Sequence, residues 1–175
     1  VVAEPKHLFN DPNIDLIVIP TPNDTHFPLA KAALEAGKHV VVDKPFTVTL
    51  SQARELDTLA KQQGKLLSVF HNRRWDSDFL TVKALLSEGT LGEIVYFESH
   101  FDRFRPQVRN RWRELAGPGS GIWYDLAPHL LDQTVNLFGL PVSITVDLAQ
   151  LRPGAQSTDY FHAVLAYPQR RVVLH

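Results

Sequence analysis

The chain of 175 residues contains no cysteine. Disulfides, thiolate nucleophiles and cysteine-ligated metal centres are therefore excluded within it. Neither sign of charge is in excess: 18 Lys and Arg stand against 19 Asp and Glu, a net of −1. That balance points away from nucleic acid and from an anionic membrane surface as partners. No apolar run reaches the roughly 20 residues that a spanning helix needs, and no signal-peptide pattern opens the chain. A cytoplasmic protein is the expectation. Methionine is absent too. The chain opens on VVAEPKHLF and stops at RRVVLH, which reads as an unfinished strand, so an internal fragment of a longer protein is expected. A G-x-G-x-x-G turn is also missing. GPGSG (117–121) has the wrong spacing and no strand runs into it, so it reads as a connector.

What is present is a chain that is 44% hydrophobic, with apolar runs spread along its length. IDLIVIPT (14–21) is a continuous β-branched run of the kind expected for a strand buried on both faces. THFPLAKAALEAGK reads as a helix stopped by Gly37. HVVVDKP is a second strand. TLSQARELDTLAKQQG is a second helix, with Thr49 and Gln52 as a capping box and Gly64 as its stop. KLLSVFHN is a third strand. Strand–helix–strand–helix–strand predicts parallel pairing with crossover helices, which is half of a doubly wound nucleotide-binding sheet.

Beyond Asn72 the pattern changes. DFLTVKALLSEG reads as a helix, EIVYFESHF alternates with period two, and SITVDLAQ and DYFHAVLAY are further alternating strands. The predicted fold class is α/β: the second half of a Rossmann-type parallel sheet over residues 1–72, then the start of an α+β domain with an antiparallel sheet over 73–175.

Ligands of open α/β sheets bind at the carboxyl ends of the strands. Three such ends carry polar residues here: Thr21-Pro22-Asn23, Asp43-Lys44-Pro45 and His71-Asn72-Arg73. Pro45 ends the pairing of its strand and holds Lys44 at the tip. There the amine can donate to a hydroxyl or carbonyl oxygen, and the Lys44–Pro45 bond is a candidate cis peptide. A lysine ending an ordinary surface strand fits the same residues. His26, in the first turn of its helix, reads by itself as a capping-region residue.

GIWYDLAPHLLD (121–132) places Asp125 and His129 four residues apart, on one helical face, with Asp132 three further on. An Asp–His pair at that spacing can orient an imidazole for proton transfer. D-x-x-x-H-x-x-D also offers oxygen and nitrogen ligands to a divalent metal. The bland alternative is a solvated helix face whose first-turn Asp favours the dipole. The predicted apolar stripe is Ile122, Leu126, Leu130, Val135 and Leu137/Phe138. Arg103, Arg105, Arg109, Arg111 and Arg113 form a basic cluster that would either contact an anion or pair with nearby acids.

Three segments together, DLIVIPTPNDTHFPLAKAALEAGKHVVVDKPF, NRRWDSDF and GSGIWYDLAPHLLD, resemble the glucose–fructose oxidoreductase and inositol dehydrogenase-like (Gfo/Idh/MocA) family of NAD(P)-dependent oxidoreductases. The resemblance implies Lys44, Asp125 and His129 as the catalytic group. It implies Thr21, Pro22, Asn23, His26, Asp43, Lys44, Pro45 and Asn72 along an NAD or NADP cofactor. Arg73, Trp112 and Tyr124 are candidate walls for a sugar or polyol substrate, with no resident metal. It further implies hydride transfer to or from a carbonyl or hydroxyl carbon, and a homo-oligomer in the intact protein. Asp43 stands where the family usually has Glu, and Ala127 and Ser120 where glycines are common. The Gly-rich phosphate turn and the residue that chooses NAD or NADP are expected upstream of Val1, so the 175 residues alone are expected to be inactive. A non-catalytic cofactor or sugar sensor of the same fold, and more remotely a metal-dependent hydrolase, remain open on sequence.

Overall fold

The structure, a computed structural model, describes residues 2–175. They form two compact units, divided between Phe70 and His71.

The first unit contains α1 (Pro5–Phe9), β1 (Leu16–Ile19), α2 (Asn23–Glu35), β2 (His39–Asp43), α3 (Leu50–Gln63) and β3 (Leu67–Phe70). The strands run parallel in the order β1-β2-β3, with Ile19 opposite Val42 and Asp43 opposite Phe70. Ile17, Ile19, Val40 and Val42 pack with Ala30, Ala33 and Leu34 of α2 and with Leu56 and Ala60 of α3. Both long helices therefore cover one face of the sheet. The strand expected to be buried on both faces is not: Leu16 and Val18 are 47% and 60% exposed. Alternate side chains of a strand point to opposite faces. Among the described residues of this unit, the helices cover only the Ile17/Ile19 side.

The start of α3 is set by its sequence. The Thr49 hydroxyl accepts from the Gln52 backbone N–H, and the Gln52 side chain accepts from the Thr49 N–H. Gly64, at φ 61°, closes the other end in the left-handed conformation that glycine adopts without a Cβ penalty. Replacing Thr49 with alanine removes one side of this box and is expected to lower stability by about 1 kcal/mol. Thermal unfolding of the variant measures it.

The second unit contains a 3-10 turn (Asn72–Trp75), α4 (Ser77–Ser87), β4 (Tyr96–Ser99), α5 (Gly121–Phe138), β5 (Ser143–Ala149), β6 (Tyr160–Ala166) and β7 (Arg171–Leu174). Its sheet has the order β4-β7-β6-β5. The sheet is mixed rather than purely antiparallel: β5–β6 and β6–β7 are antiparallel, whereas β4 and β7 run parallel. β4 is joined to its neighbour only after α5 and two other strands have intervened, and a connection of that length allows parallel pairing.

Leu126, Ala127 and Leu130 of α5 pack on Phe161, Ala163, Leu165, Val172 and Leu174 of the sheet. The apolar stripe departs from expectation in one place. Thr134 is fully buried and Val135 is 36% exposed, because a four-residue step from Leu130 lands on Thr134. Among the described residues no helix is long and apolar enough to cross a membrane.

Candidate functional site

In a parallel sheet all carboxyl ends lie at one edge, so the turns after β1 and β2 are neighbours. The first holds Thr21, Pro22 and Asn23. The Thr21 and Thr25 hydroxyls lie 2.6 Å apart, and the Thr25 hydroxyl also donates to the Pro22 carbonyl at 2.6 Å. Asn23 begins α2 and is buried. The second turn holds Asp43, Lys44 and Pro45. The Asp43 carboxylate accepts from the Lys44 backbone N–H at 2.8 Å. The Lys44–Pro45 peptide is cis. Lys44 is half-buried and Pro45 buried. His26 has no exposed surface, and its two ring nitrogens lie 2.8 Å from the Pro45 carbonyl and 2.9 Å from the Thr21 carbonyl.

In the second unit, α5 carries Asp125 and His129 one turn apart. His129 is only 6% exposed, with its ring edge-on to Phe101 at 6.4 Å between centroids. The Asp125 side chain is 21% exposed and meets Arg113 Nε at 3.3 Å. A solvated helix face does not describe these two residues. Asp132 is different in kind. It accepts a bidentate pair from Arg74 at 2.8 and 2.6 Å, and His71 Nε2 lies 3.8 Å away. Its carboxylate is occupied in holding the 3-10 turn against α5, so the D-x-x-x-H-x-x-D run is not gathered as a ligand set. Among the described residues, no group of three or more His, Asp or Glu side chains is placed to hold a metal ion.

Asp125 lines a cavity of about 310 Å³ inside the second unit, together with Phe101, Arg113, Glu114, Arg152, Tyr160 and other side chains. Among the described residues, Arg73, Trp112, Tyr124 and His129 are not walls of this cavity. Arg73 donates to Asp76 at 2.6 Å and lies 5.0 Å from the Phe101 ring centroid. The Arg113 guanidinium stacks 4.3 Å from the Trp112 ring centroid, so Trp112 stands one layer behind the residue that meets Asp125. Tyr124 is half-buried, and Asn72 is exposed in the 3-10 turn.

The arginine cluster resolves into a network that sequence reading did not place. Glu114, 6% exposed, accepts from the Arg109 backbone N–H at 3.0 Å, Arg111 at 2.6 Å and Arg152 at 3.2 Å. Arg152 also donates to Asp159 at 2.9 Å. The Arg111–Glu114 spacing was a readable local signal. The link to Arg152 spans 38 residues and left no trace in the sequence.

Burial pushes the Glu114 carboxyl up. The Arg109 N–H and the Arg111 and Arg152 guanidinium groups outweigh it and hold the carboxyl below its ordinary 4.5. Burial likewise opposes, and hydrogen bonds from the Leu151 and Arg152 backbone and the Arg152 side chain overcome, at Asp159, which is held below 3.8. A carboxylate depressed on folding stabilises the native state above its unfolded pKa. That contribution is lost as pH falls through the folded value, so the window for Glu114 opens at about pH 4.5 and runs downward. Glu114→Gln is expected to lower the melting temperature at neutral pH and to flatten its decline below about pH 4.5. A series of thermal melts against pH measures both effects.

The donor set at the strand-end rim fits a nicotinamide cofactor. A buried amide (Asn23) and a half-buried amine (Lys44) stand at the carboxyl edge of a parallel sheet, where such ligands bind.

Comparison with known proteins decides the family. Residues 1–71 match an oxidoreductase family with an NAD-binding Rossmann fold, and residues 79–175 match the GFO/IDH/MocA C-terminal domain. The chain belongs to the Gfo/Idh/MocA family. It is 87% identical over its full length to the uncharacterized oxidoreductase YdgJ of Escherichia coli K12, covering 51% of that protein. It is 44% identical over its full length to scyllo-inositol 2-dehydrogenase (NADP(+)) IolW of Bacillus subtilis, covering 49% of it. Among solved structures, YPO2259 of Yersinia pestis superposes with a TM-score of 0.92 at 72% identity, over 100% of this chain and 49% of that one. The chain thus spans about half the length of the curated Gfo/Idh/MocA relatives it matches.

Proposed function

We propose that the intact protein is an NAD(P)-dependent oxidoreductase acting on a CH–OH group, or the corresponding carbonyl, of a polyol or sugar. The observation that carries this is the state of α5: His129 is buried, Asp125 is half-buried one turn away, and Asp125 faces a cavity of small-molecule size. Two relatives support the substrate class, the scyllo-inositol dehydrogenase above and a 1,5-anhydro-D-fructose reductase of Ensifer adhaerens, 30% identical over 132 residues.

A nicotinamide held along Thr21, Pro22, Asn23, Asp43, Lys44, Pro45 and Asn72 would supply or accept the hydride. Every other task falls to side chains of this chain. Lys44 donates to the reacting oxygen and balances its developing charge. His129 takes the hydroxyl proton on oxidation and returns it on reduction. Asp125, held by Arg113, orients the imidazole or binds a neighbouring substrate hydroxyl. Arg73, Trp112 and Tyr124 stand outside the Asp125 cavity and are assigned to the outer substrate contacts of the intact protein.

The experiment is a screen of the full-length protein against scyllo-inositol, other polyols, sugars and 1,5-anhydro-D-fructose, followed by absorbance of the reduced nicotinamide with NAD and with NADP. Cofactor-dependent turnover of at least one is expected. Tight binding of reduced cofactor with no turnover across the panel would mark the protein as a sensor.

A further inference from the structure

We infer that His26 is a positioning residue for catalysis: it cross-links the two strand-end turns of the first unit and, through the Pro45 carbonyl, sets where Lys44 stands. Its catalytic consequence rests on the role proposed above for Lys44. The ring sits in α2 with no exposed surface. One nitrogen is 2.8 Å from the carbonyl of Pro45 and the other 2.9 Å from the carbonyl of Thr21. Those carbonyls belong to the turns that follow two adjacent parallel strands. A ring N–H donates to one or other of these carbonyls, according to the tautomer.

Lys44 is flanked by two fixed points. On one side Asp43 accepts from the Lys44 N–H at 2.8 Å. On the other, Pro45 is held by His26. The backbone of the turn is thus pinned on both sides of Lys44. A side chain with no exposed surface and both polar atoms turned to main-chain carbonyls does not touch a bound cofactor. It acts on Lys44 through the rim that it holds together. Imidazole suits this task because it is flat and rigid and carries polar atoms on two edges of one ring. Glutamine offers its oxygen and nitrogen from a single flexible end and does not span the two carbonyls as the ring does.

The test uses the full-length protein, the substrate found by the screen above, and crystal structures of His26→Ala and His26→Gln. The Lys44 turn is expected to move by about 1 Å in His26→Ala, with a fall in kcat of about ten- to a hundredfold. The cofactor KM is expected to change by less than about threefold, because the group removed touches no cofactor. His26→Gln should recover part of the loss. In the double variant, His26→Ala should add nothing to Lys44→Ala, since both losses run through one amine. An unmoved Lys44 turn, or losses that multiply in the double variant, overturns the inference. If Lys44→Ala alone leaves kcat unchanged while the turn has moved, the cross-link stands and the role of Lys44 falls. Should His26→Ala fail to fold, His26→Gln carries the same structural and kinetic comparisons.

Discussion

Lys44→Ala in the full-length protein is expected to lower kcat/KM by about 10²- to 10³-fold while leaving cofactor affinity within a few-fold of wild type. The magnitude is that of removing one preorganised donor from an oxygen that gains charge in the transition state. Lys44 is suited to this because its backbone is held on both sides and its stem is half-buried. His129→Asn supplies the companion measurement. It keeps most of the buried volume beside Phe101 and removes the proton carrier, and a loss of about 10²- to 10⁴-fold is expected. The proposed mechanism uses Asp125 and His129 as a unit, so Asp125→Asn combined with His129→Asn should be little slower than the slower single variant. Steady-state kinetics of the four proteins check this. Unchanged turnover in Lys44→Ala would remove the amine from the mechanism.

Gly121→Ala is expected to be the most damaging single methyl group in the second unit. Gly121 opens α5 at φ +85°, and a Cβ there would stand 2.8 Å from the carbonyl oxygen of Thr158 and 2.9 Å from its nitrogen. The left-handed conformation costs a non-glycine residue roughly 1–2 kcal/mol. Overpacking against backbone that cannot rotate away adds about 1–3 kcal/mol. The close approach has a purpose. The Ile122 N–H donates to the Thr158 carbonyl at 2.8 Å, and the Gly121 N–H to the Arg113 carbonyl at 2.8 Å. Those two bonds place the first turn of α5, and with it Asp125 one turn further on. Gly139→Ala is the control. Gly139 also has a positive φ, +74°, but an added Cβ meets nothing within 4 Å. Gly139→Ala carries backbone strain with no clash, so a larger thermal shift in Gly121→Ala reports the contact with Thr158. Equal shifts would show that Thr158 gives way and that α5 is not placed by this contact.

Much of the architecture was legible because it is written in local periodicity. The parallel β1-α2-β2-α3-β3 order, the Thr49–Gln52 box and the glycine stops of α2 and α3 follow from spacing that the chain carries within a few residues. The placement of Lys44 at a strand tip was readable for the same reason, since Pro45 cannot continue the ladder. Asp125 and His129 on one helical face needed only the helical period.

Other features depend on partners far away in the chain. Whether a β-branched strand is covered on one face or two is decided by what packs on it, so Leu16 and Val18 could not be judged from their own run. β4 and β7 pair across more than 70 residues, and no local pattern states the direction. Asp132 follows Asp125 and His129 along the same helix in sequence, but Arg74, 58 residues away, holds it. Glu114, Arg152 and Asp159 form a charged cluster whose members are individually unremarkable in sequence. His26 shows the difference most plainly. By its position in the first turns of a helix it reads as a capping residue, yet its ring is buried between two carbonyls that only the parallel sheet brings side by side. Sequence determines which groups can donate, accept or turn the chain, because those are properties of single residues and near neighbours. Tertiary structure decides which of them meet, because burial and hydrogen bonding belong to pairs.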